Sequence, residues 1–354
     1  MQEIVDQLSR AIKEAAAHRR SLSIRGGGTK DFYGGIRQGS PLDITGYRGI
    51  VAYEPTELVI TVRAGTPLAE VEAVLREKGQ MLAFEPPHFG AAATLGGCIA
   101  TGLSGPRRPY AGAARDFVLG VRLLDGRGDD LRFGGQVMKN VAGYDVSRLV
   151  TGSLGTLGVL LEVSLKVLPV PPAETTLHLK CAEAEAITLM NDWAGKPLPI
   201  SATAFRNEDL GVRLSGASVA VESAIRKLGG TRVDPQQAER FWAGIREHTD
   251  PFFGGAQPLW RLSVKSTTPP LRLPGEQLIE WGGALRWLQA NADATTIREA
   301  AVRSGGHATL FRGNDKSMGV FHPLAPALMQ LHRNLKQAFY PAGVLNPGRL
   351  YPDL

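Results

Sequence analysis

Cysteine is scarce: Cys98 and Cys181 are the only two among 354 residues, with no second ligand pair beside either. That excludes a disulfide framework and a cysteine-ligated zinc or iron–sulfur site, and it suits a reducing cytoplasm. Clustered cations are also missing. Lys and Arg number 40 against 34 Asp and Glu, a net charge of +6, and the longest basic runs are the pairs Arg19-Arg20 and Arg107-Arg108. No nucleic-acid footprint is expected. Residues 86–106 contain no Asp, Glu, Lys or Arg, yet three prolines and five glycines make this stretch a poor membrane helix. It reads as a loop-rich binding segment. The amino terminus has no apolar secretory core and carries Glu3 and Asp6, while Ile4, Leu8 and Ile12 predict an amphipathic helix. The expected compartment is the cytoplasm, with any membrane contact peripheral.

Glycine is what the chain has in excess: 42 residues, of which 25 precede residue 173, against an ordinary usage of about 7%. The length implies a little over two domains. In the first half, strands are predicted over 21–24 and 58–63. A helix capped by Thr66 should bury Leu68, Val71 and Leu75 and stop at Gly79. Strands 117–124 and 131–133 flank an Asp-Gly hairpin turn at Asp125. From Leu157 to Val167 every odd position is apolar, which predicts a long, half-buried strand. Pro169, Pro171 and Pro172 then mark a domain boundary. Beyond it lie all five tryptophans and an α+β pattern with helices expected on one face. A late helix over 325–338 leads into the terminal segment. The organisation expected is 1–172, then 173–322, then a returning segment, 323–354.

Three glycine clusters adjoin predicted strands. Arg25-Gly26-Gly27-Gly28-Thr29-Lys30 allows successive backbone N–H groups to converge on an anion. Thr94-Leu95-Gly96-Gly97, continuing through Thr101 and Ser104 to Arg107-Arg108, combines hydroxyls, bare backbone and cations suited to a phosphorylated ligand. Gly152-Ser153-Leu154-Gly155-Thr156-Leu157-Gly158 feeds the long strand. None matches the Walker or Rossmann spacing.

With these clusters, the segments VRAGTPLAEVEAVLREKG, ARDFVLGVRLLDG, KNVAGYDVSRLVTGSLGTLGV and AGVLNPGRLY give the chain a specific likeness. It resembles the FAD-linked oxidases of the vanillyl-alcohol oxidase type, and within them the small FAD-binding subunits of bacterial glycolate oxidase, a glycolate dehydrogenase. The resemblance implies an α+β fold: a FAD-binding domain of two subdomains, topped by an α+β cap. It implies that Gly26, Gly27, Gly28 and Thr29 form the pyrophosphate loop, and that Thr94, Gly96, Gly97, Thr101 and Ser104 follow the pyrophosphate and ribityl chain. Gly152, Thr156, Gly158 and Val159 would border the adenosine end, and Asn346 would stand near the flavin. The implied partners are a larger flavin subunit, an iron–sulfur subunit and a small 2-hydroxy acid, with association to the inner membrane through the complex.

Two departures qualify this likeness. Many relatives tether flavin through a histidine in the first loop; RGGGTK has neither His nor Cys, so non-covalent FAD is expected. Related 2-hydroxy-acid dehydrogenases bind a metal through clustered histidines, but His18, His88, His178, His248, His307, His322 and His332 form no paired motif. No metal site is expected, and the principal substrate site is assigned to the larger subunit. His88, ahead of the second cluster, is the one candidate catalytic residue. Three roles stay open: a redox subunit, a self-sufficient 2-hydroxy-acid oxidoreductase, or a non-catalytic cofactor-binding subunit. Trp242, Phe252, Phe253 and Trp260 suit either a partner surface or core packing.

Overall fold

The computed structural model describes residues 1–135, 145–339 and 342–354. Residues 139–144 of the third quoted segment lie outside the described residues. The helix Gln2–Ala17 buries Val5, Leu8, Ile12 and Ala15, the stripe that the spacing of its apolar residues predicts. The strand Leu22–Arg25 pairs in parallel with Ser40–Asp43, and Leu22 also bridges in parallel to Leu345. The carboxy-terminal segment is thereby fastened to the first strand: Leu22 N–H donates to the Val344 carbonyl at 2.7 Å, and Asn346 N–H to that of Leu22 at 2.9 Å.

A five-stranded antiparallel sheet runs in the order Ile50–Glu54, Val59–Arg63, Val159–Lys166, Val118–Leu124, Asp130–Gly134. The alternation along its central strand predicts one wet face. Instead Val159–Lys166 is buried on both faces up to its last residue. The polar positions tolerate this because each is paired. Glu162 accepts from the Tyr47 hydroxyl and from Arg122, both at 2.7 Å, and Ser164 shares a 2.8 Å hydrogen bond with Thr61. In the hairpin turn, Asp125 Oδ1 accepts from the N–H groups of Arg127 at 2.8 Å and Asp129 at 3.0 Å.

The helix Leu68–Glu77 buries Leu68, Val71 and Leu75 as expected, but Thr66 does not cap it. Pro67 holds the capping position, and the Thr66 hydroxyl is engaged by the preceding loop, donating to the Arg63 carbonyl at 2.7 Å and accepting from Gly49 N–H at 2.8 Å.

From residue 173 onward the strands form an eight-stranded antiparallel sheet, ordered Thr231–Arg232, Ala173–Lys180, Asp209–Gly216, Ile200–Arg206, Glu276–Glu280, Leu285–Gln289, Leu259–Ser263, His307–Arg312. Helices Glu183–Ala194 and Ser218–Leu228 cover one face through Leu177, Val212 and Leu214. The helices are not confined to that face. Pro235–Glu247 packs on the other, where Trp242 Nε1 donates to Thr176 Oγ1 at 2.9 Å. Successive strand residues point to opposite faces, and Ala202 and Ala204 give this second face an apolar surface for the helix. All five tryptophans, with Phe252 and Phe253, are buried, so these rings are core and not a partner surface.

The two halves share a core in which Tyr33, Leu103 and Leu154 meet Phe252, Trp287 and Phe311. Ion pairs add to the contact: Arg213 reaches Glu85 at 2.9 Å and Arg107 reaches Glu174 at 2.7 Å. The helix Pro326–Phe339 leads toward the terminal segment. No helix among the described residues is long and apolar enough to cross a membrane.

Candidate cofactor-binding site

The strand Leu22–Arg25 ends in the first glycine loop, whose backbone has no room for side chains. A Cβ on Gly27 would lie 1.5 Å from the Ala92 carbonyl oxygen, and Gly28 takes φ of +73°, a left-handed conformation open to glycine. Facing the loop is a short helix, Leu95–Thr101, inside the segment expected to be loop-rich. Thr94 caps it, its hydroxyl accepting from Gly97 N–H at 3.2 Å. The third cluster contributes Leu154, Gly155 and Gly158 as a further wall. Asn346 staples this wall to the first strand: its Oδ1 accepts from Ile24 N–H at 2.8 Å and its Nδ2 donates to the Leu154 carbonyl at 2.6 Å. These pieces bound a cleft with about 750 Å³ of space, its solvent-open part included, within the size range of small-molecule sites.

The charge in this cleft is lopsided. Lys30, Arg37 and Arg349 line it together with one carboxylate, Asp31, and that carboxylate is paired with Arg37. Lys30 and Arg349 are each only 7% exposed. Lys30 Nζ donates to the His88 carbonyl at 3.1 Å, and Arg349 donates to the carbonyls of Tyr33 and Gly35. Among the described residues neither cation has a carboxylate at ion-pair distance. Burial lowers the Lys30 ammonium below its ordinary range and brings the Arg349 guanidinium down to about 10. Two buried, uncompensated cations above exposed backbone donors are costly unless an anion joins them. A diphosphate supplies that anion without a metal.

The expected site residues divide into two groups. Gly26, Gly27, Gly28, Thr29, Thr94, Gly96, Gly97, Thr101, Gly158 and Asn346 all line the cleft. Ser104, Gly152, Thr156 and Val159 stand behind its walls. The Ser104 hydroxyl accepts from Ala114 N–H at 3.0 Å, Gly152 N–H donates to the Ile99 carbonyl at 2.9 Å, and the Thr156 hydroxyl donates to Ser153 at 2.7 Å. Val159 is fully buried core.

His88 does not present its ring to the cleft. Its Nε2 lies 3.1 Å from Glu72, while its backbone carbonyl accepts from the Thr29 hydroxyl at 2.7 Å and from Lys30. Cys98 is buried, and burial pushes its thiol up to about 12. Lys30, Arg37, Leu154 and Arg349 are lining residues to which sequence reasoning gave no role. Lys30 was within reach as the last residue of RGGGTK; Arg349 carries no such local signal.

A family model described as "FAD binding domain" matches residues 3–134. Glycolate oxidase subunit GlcE of Escherichia coli (strain K12) is 49% identical over 353 residues, covering 100% of this chain and 98% of that protein. Glycolate oxidase subunit GlcD of Bacillus subtilis (strain 168) is 32% identical over 199 residues, 55% of this chain and 42% of that one. Among solved structures, an alkyldihydroxyacetonephosphate synthase superposes with a TM-score of 0.65 at 16% identity, covering 97% of this chain and 74% of the other. That likeness shows the fold alone: the α+β FAD-binding architecture of the vanillyl-alcohol oxidase type. With 49% identity to one of its members over nearly the full length of both, the chain belongs to the glycolate oxidase E-subunit family of FAD-linked oxidases.

Proposed function

We propose that this chain is the FAD-binding subunit of a glycolate oxidase complex, a glycolate dehydrogenase that oxidises glycolate to glyoxylate. The observation that carries the reading is the pair of buried cations without a carboxylate partner, Lys30 and Arg349, lining the same cleft as Gly26–Gly28. FAD supplies the acceptor for the two electrons that leave the hydroxy acid. The chain's part is to hold it. Lys30 and Arg349 neutralise the diphosphate, the hydroxyls of Thr29, Thr94 and Thr101 offer polar contacts, and Ile24, Ile44 and Leu160 keep water from the apolar parts.

The cofactor is held without a covalent bond. The first loop has neither the histidine nor a cysteine through which flavin could be tethered, and burial holds Cys98 beside the second loop as a neutral thiol at physiological pH. His88 acts through its backbone carbonyl, ordering Thr29 and Lys30, and not as a base. Two cysteines cannot ligate an iron–sulfur cluster, so electrons leave through a separate iron–sulfur subunit, and a larger flavin subunit holds the principal substrate site. The complex works in the cytoplasm, meeting the inner membrane through its partners. The chain is organised as a FAD domain over 1–172, a cap over 173–322 and a returning segment over 323–354.

The test is to express the chain alone, record its visible spectrum and add glycolate without oxygen. Bound flavin released by acid precipitation is expected. A colourless protein would sink the cofactor reading, and flavin that stays with the precipitate would overturn the non-covalent one. Flavin that stays oxidised until the larger subunits are added favours the subunit role, whereas flavin that bleaches favours a self-sufficient oxidoreductase.

A further inference from the structure

The helix Pro326–Phe339 is amphipathic yet buries none of its residues, whereas every other described helix of ten or more residues buries at least two. Leu328, Leu331, Leu335 and Phe339 recur at the three- and four-residue steps that place side chains on one helix face. That stripe is packed only at its carboxy-terminal end. Leu335 and Phe339 lie partly buried against the core of the first half, with the Phe339 ring centroid 6.1 Å from that of Phe133. Leu328 and Leu331 continue the stripe past this contact and are 43% and 62% exposed.

This helix packs on the terminal segment that also serves the cofactor cleft. The His332 ring lies 6.3 Å from that of Tyr351, and Arg333 reaches Asp353 at 3.2 Å. A few residues earlier, the same segment places Asn346 and Arg349 in the cleft wall. Two further exposed apolar side chains flank it. Ile36 follows Gly35, whose N–H donates to the Arg349 carbonyl at 2.8 Å. Met318 precedes His322, whose carbonyl accepts from the Tyr351 hydroxyl at 3.1 Å. Single exposed apolar residues are ordinary on a protein surface. Four large ones around one cleft-lining segment are the mark of an interaction site.

We propose that this surface, centred on Leu328 and Leu331, docks the partner protein that takes electrons from this subunit's flavin, and that the partner meets it with an apolar centre rimmed by carboxylates. In the glycolate oxidase reading, on which this identification rests, that partner is the iron–sulfur subunit. Charge supports the choice. The helix carries His332, Arg333 and Lys336 but no Asp or Glu, so a carboxylate rim complements it, whereas a second copy of the same helix would oppose like charges. Position supports it too. Two cysteines cannot ligate a cluster that would carry electrons across this chain, so the acceptor must stand beside the cleft, and the terminal segment joins the cleft to this surface. A lipid surface fits less well. Anionic headgroups draw on free cations, but Arg333 is paired with Asp353 and Lys336 is half-buried.

The test is co-expression of the tagged full-length chain with the larger flavin subunit and the iron–sulfur subunit, then affinity purification with each subunit, iron and flavin quantified. Leu328→Glu combined with Leu331→Glu should lower the co-purified iron–sulfur subunit at least about tenfold. Flavin per chain and melting temperature should not change, because both side chains are already exposed. Should the double variant fail to fold, Leu331→Glu alone carries the comparison. Val219→Glu, at an exposed apolar position on the cap, should leave assembly intact. Arg333→Gln should weaken retention about threefold at low salt and not at high salt, as a rim charge does. In the assembled complex, p-benzoylphenylalanine placed at position 331 should crosslink to the iron–sulfur subunit. A crosslink to the larger subunit or to a second copy, undiminished retention in the leucine variants, or vesicle binding by the lone chain that those variants abolish would each overturn the surface. A wild-type chain that assembles with neither partner would instead overturn the glycolate oxidase reading, and the partner assignment with it.

Discussion

Two cavities of this molecule are built on opposite plans. The cofactor cleft is made of backbone: three glycine loops, a short capped helix and an asparagine staple, with Lys30 and Arg349 as its unpaired cations. A second cavity, beneath the cap, is made of side chains: an aromatic shell around Arg261, His248 and Glu280. A backbone site tolerates almost no added atoms but draws specificity from shape and N–H groups. A side-chain site is tuned by single replacements. The difference teaches where each kind of mutation acts, and four changes probe it.

Gly27→Ala should do the most. Its Cβ would stand 1.5 Å from a carbonyl oxygen, and that oxygen belongs to backbone. The loop must move, and FAD affinity should fall at least about 100-fold, read from flavin retained per chain after gel filtration. Retention at the wild-type ratio would break the claim that backbone forms this cleft.

Lys30→Met is next, and its two effects have opposite sign. FAD should bind roughly 30-fold more weakly, the loss of a charge-assisted contact. The flavin-free protein should melt no lower than wild type, because an unpaired buried charge has been removed. Differential scanning calorimetry of both forms checks the pair of signs.

Glu247→Ala tests how the halves communicate. From the cap side, Glu247 accepts from the N–H groups of His88 at 3.0 Å and Phe89 at 2.9 Å, and the His88 carbonyl in turn holds Thr29 and Lys30. Losing these bonds should cost about 2 kcal/mol in urea denaturation and loosen FAD about tenfold. Unchanged FAD affinity would show that the cap and the cleft act independently.

The most gradual effect is a pH slope. Burial raises Glu280 from 4.5 to about 7 in the folded chain. Between those values the folded state holds more protons than the unfolded one, so stability falls as pH rises through that window. Glu280→Gln should flatten this part of the stability curve, measured by denaturant midpoints from pH 4.5 to 7.5. A slope identical to wild type would place the titration elsewhere.

The same contrast governs what could be read from the chain. The cleft was legible because glycine, threonine and strand signals are local: Gly26, Gly97 and Thr101 needed only their neighbours. Misjudgements arose where the fold, most often through a distant partner, decided the outcome. Glu162 and Ser164 look like solvent-facing strand positions, yet Tyr47, Arg122 and Thr61 satisfy them inside the sheet. Thr66 looks like a cap, yet Gly49 claims its hydroxyl. Thr156 and Val159 sit in the right cluster, but a turn sends one inward to Ser153 and the strand carries the other into the core. His88 precedes the right loop, and Glu72 holds its ring elsewhere.

The amino-acid sequence by itself determined the strands, the hairpin, the glycine loops and, through them, the cofactor class, because these depend on backbone freedom and short-range periodicity. Only the tertiary structure decided which charges remain unpaired. Lys30 and Arg349 are far apart in the chain, as are His248 and Arg261 from Ser104, and nothing in their local sequence states what each will face. Burial cost and ion pairing depend on the surroundings in space, and folding alone supplies those.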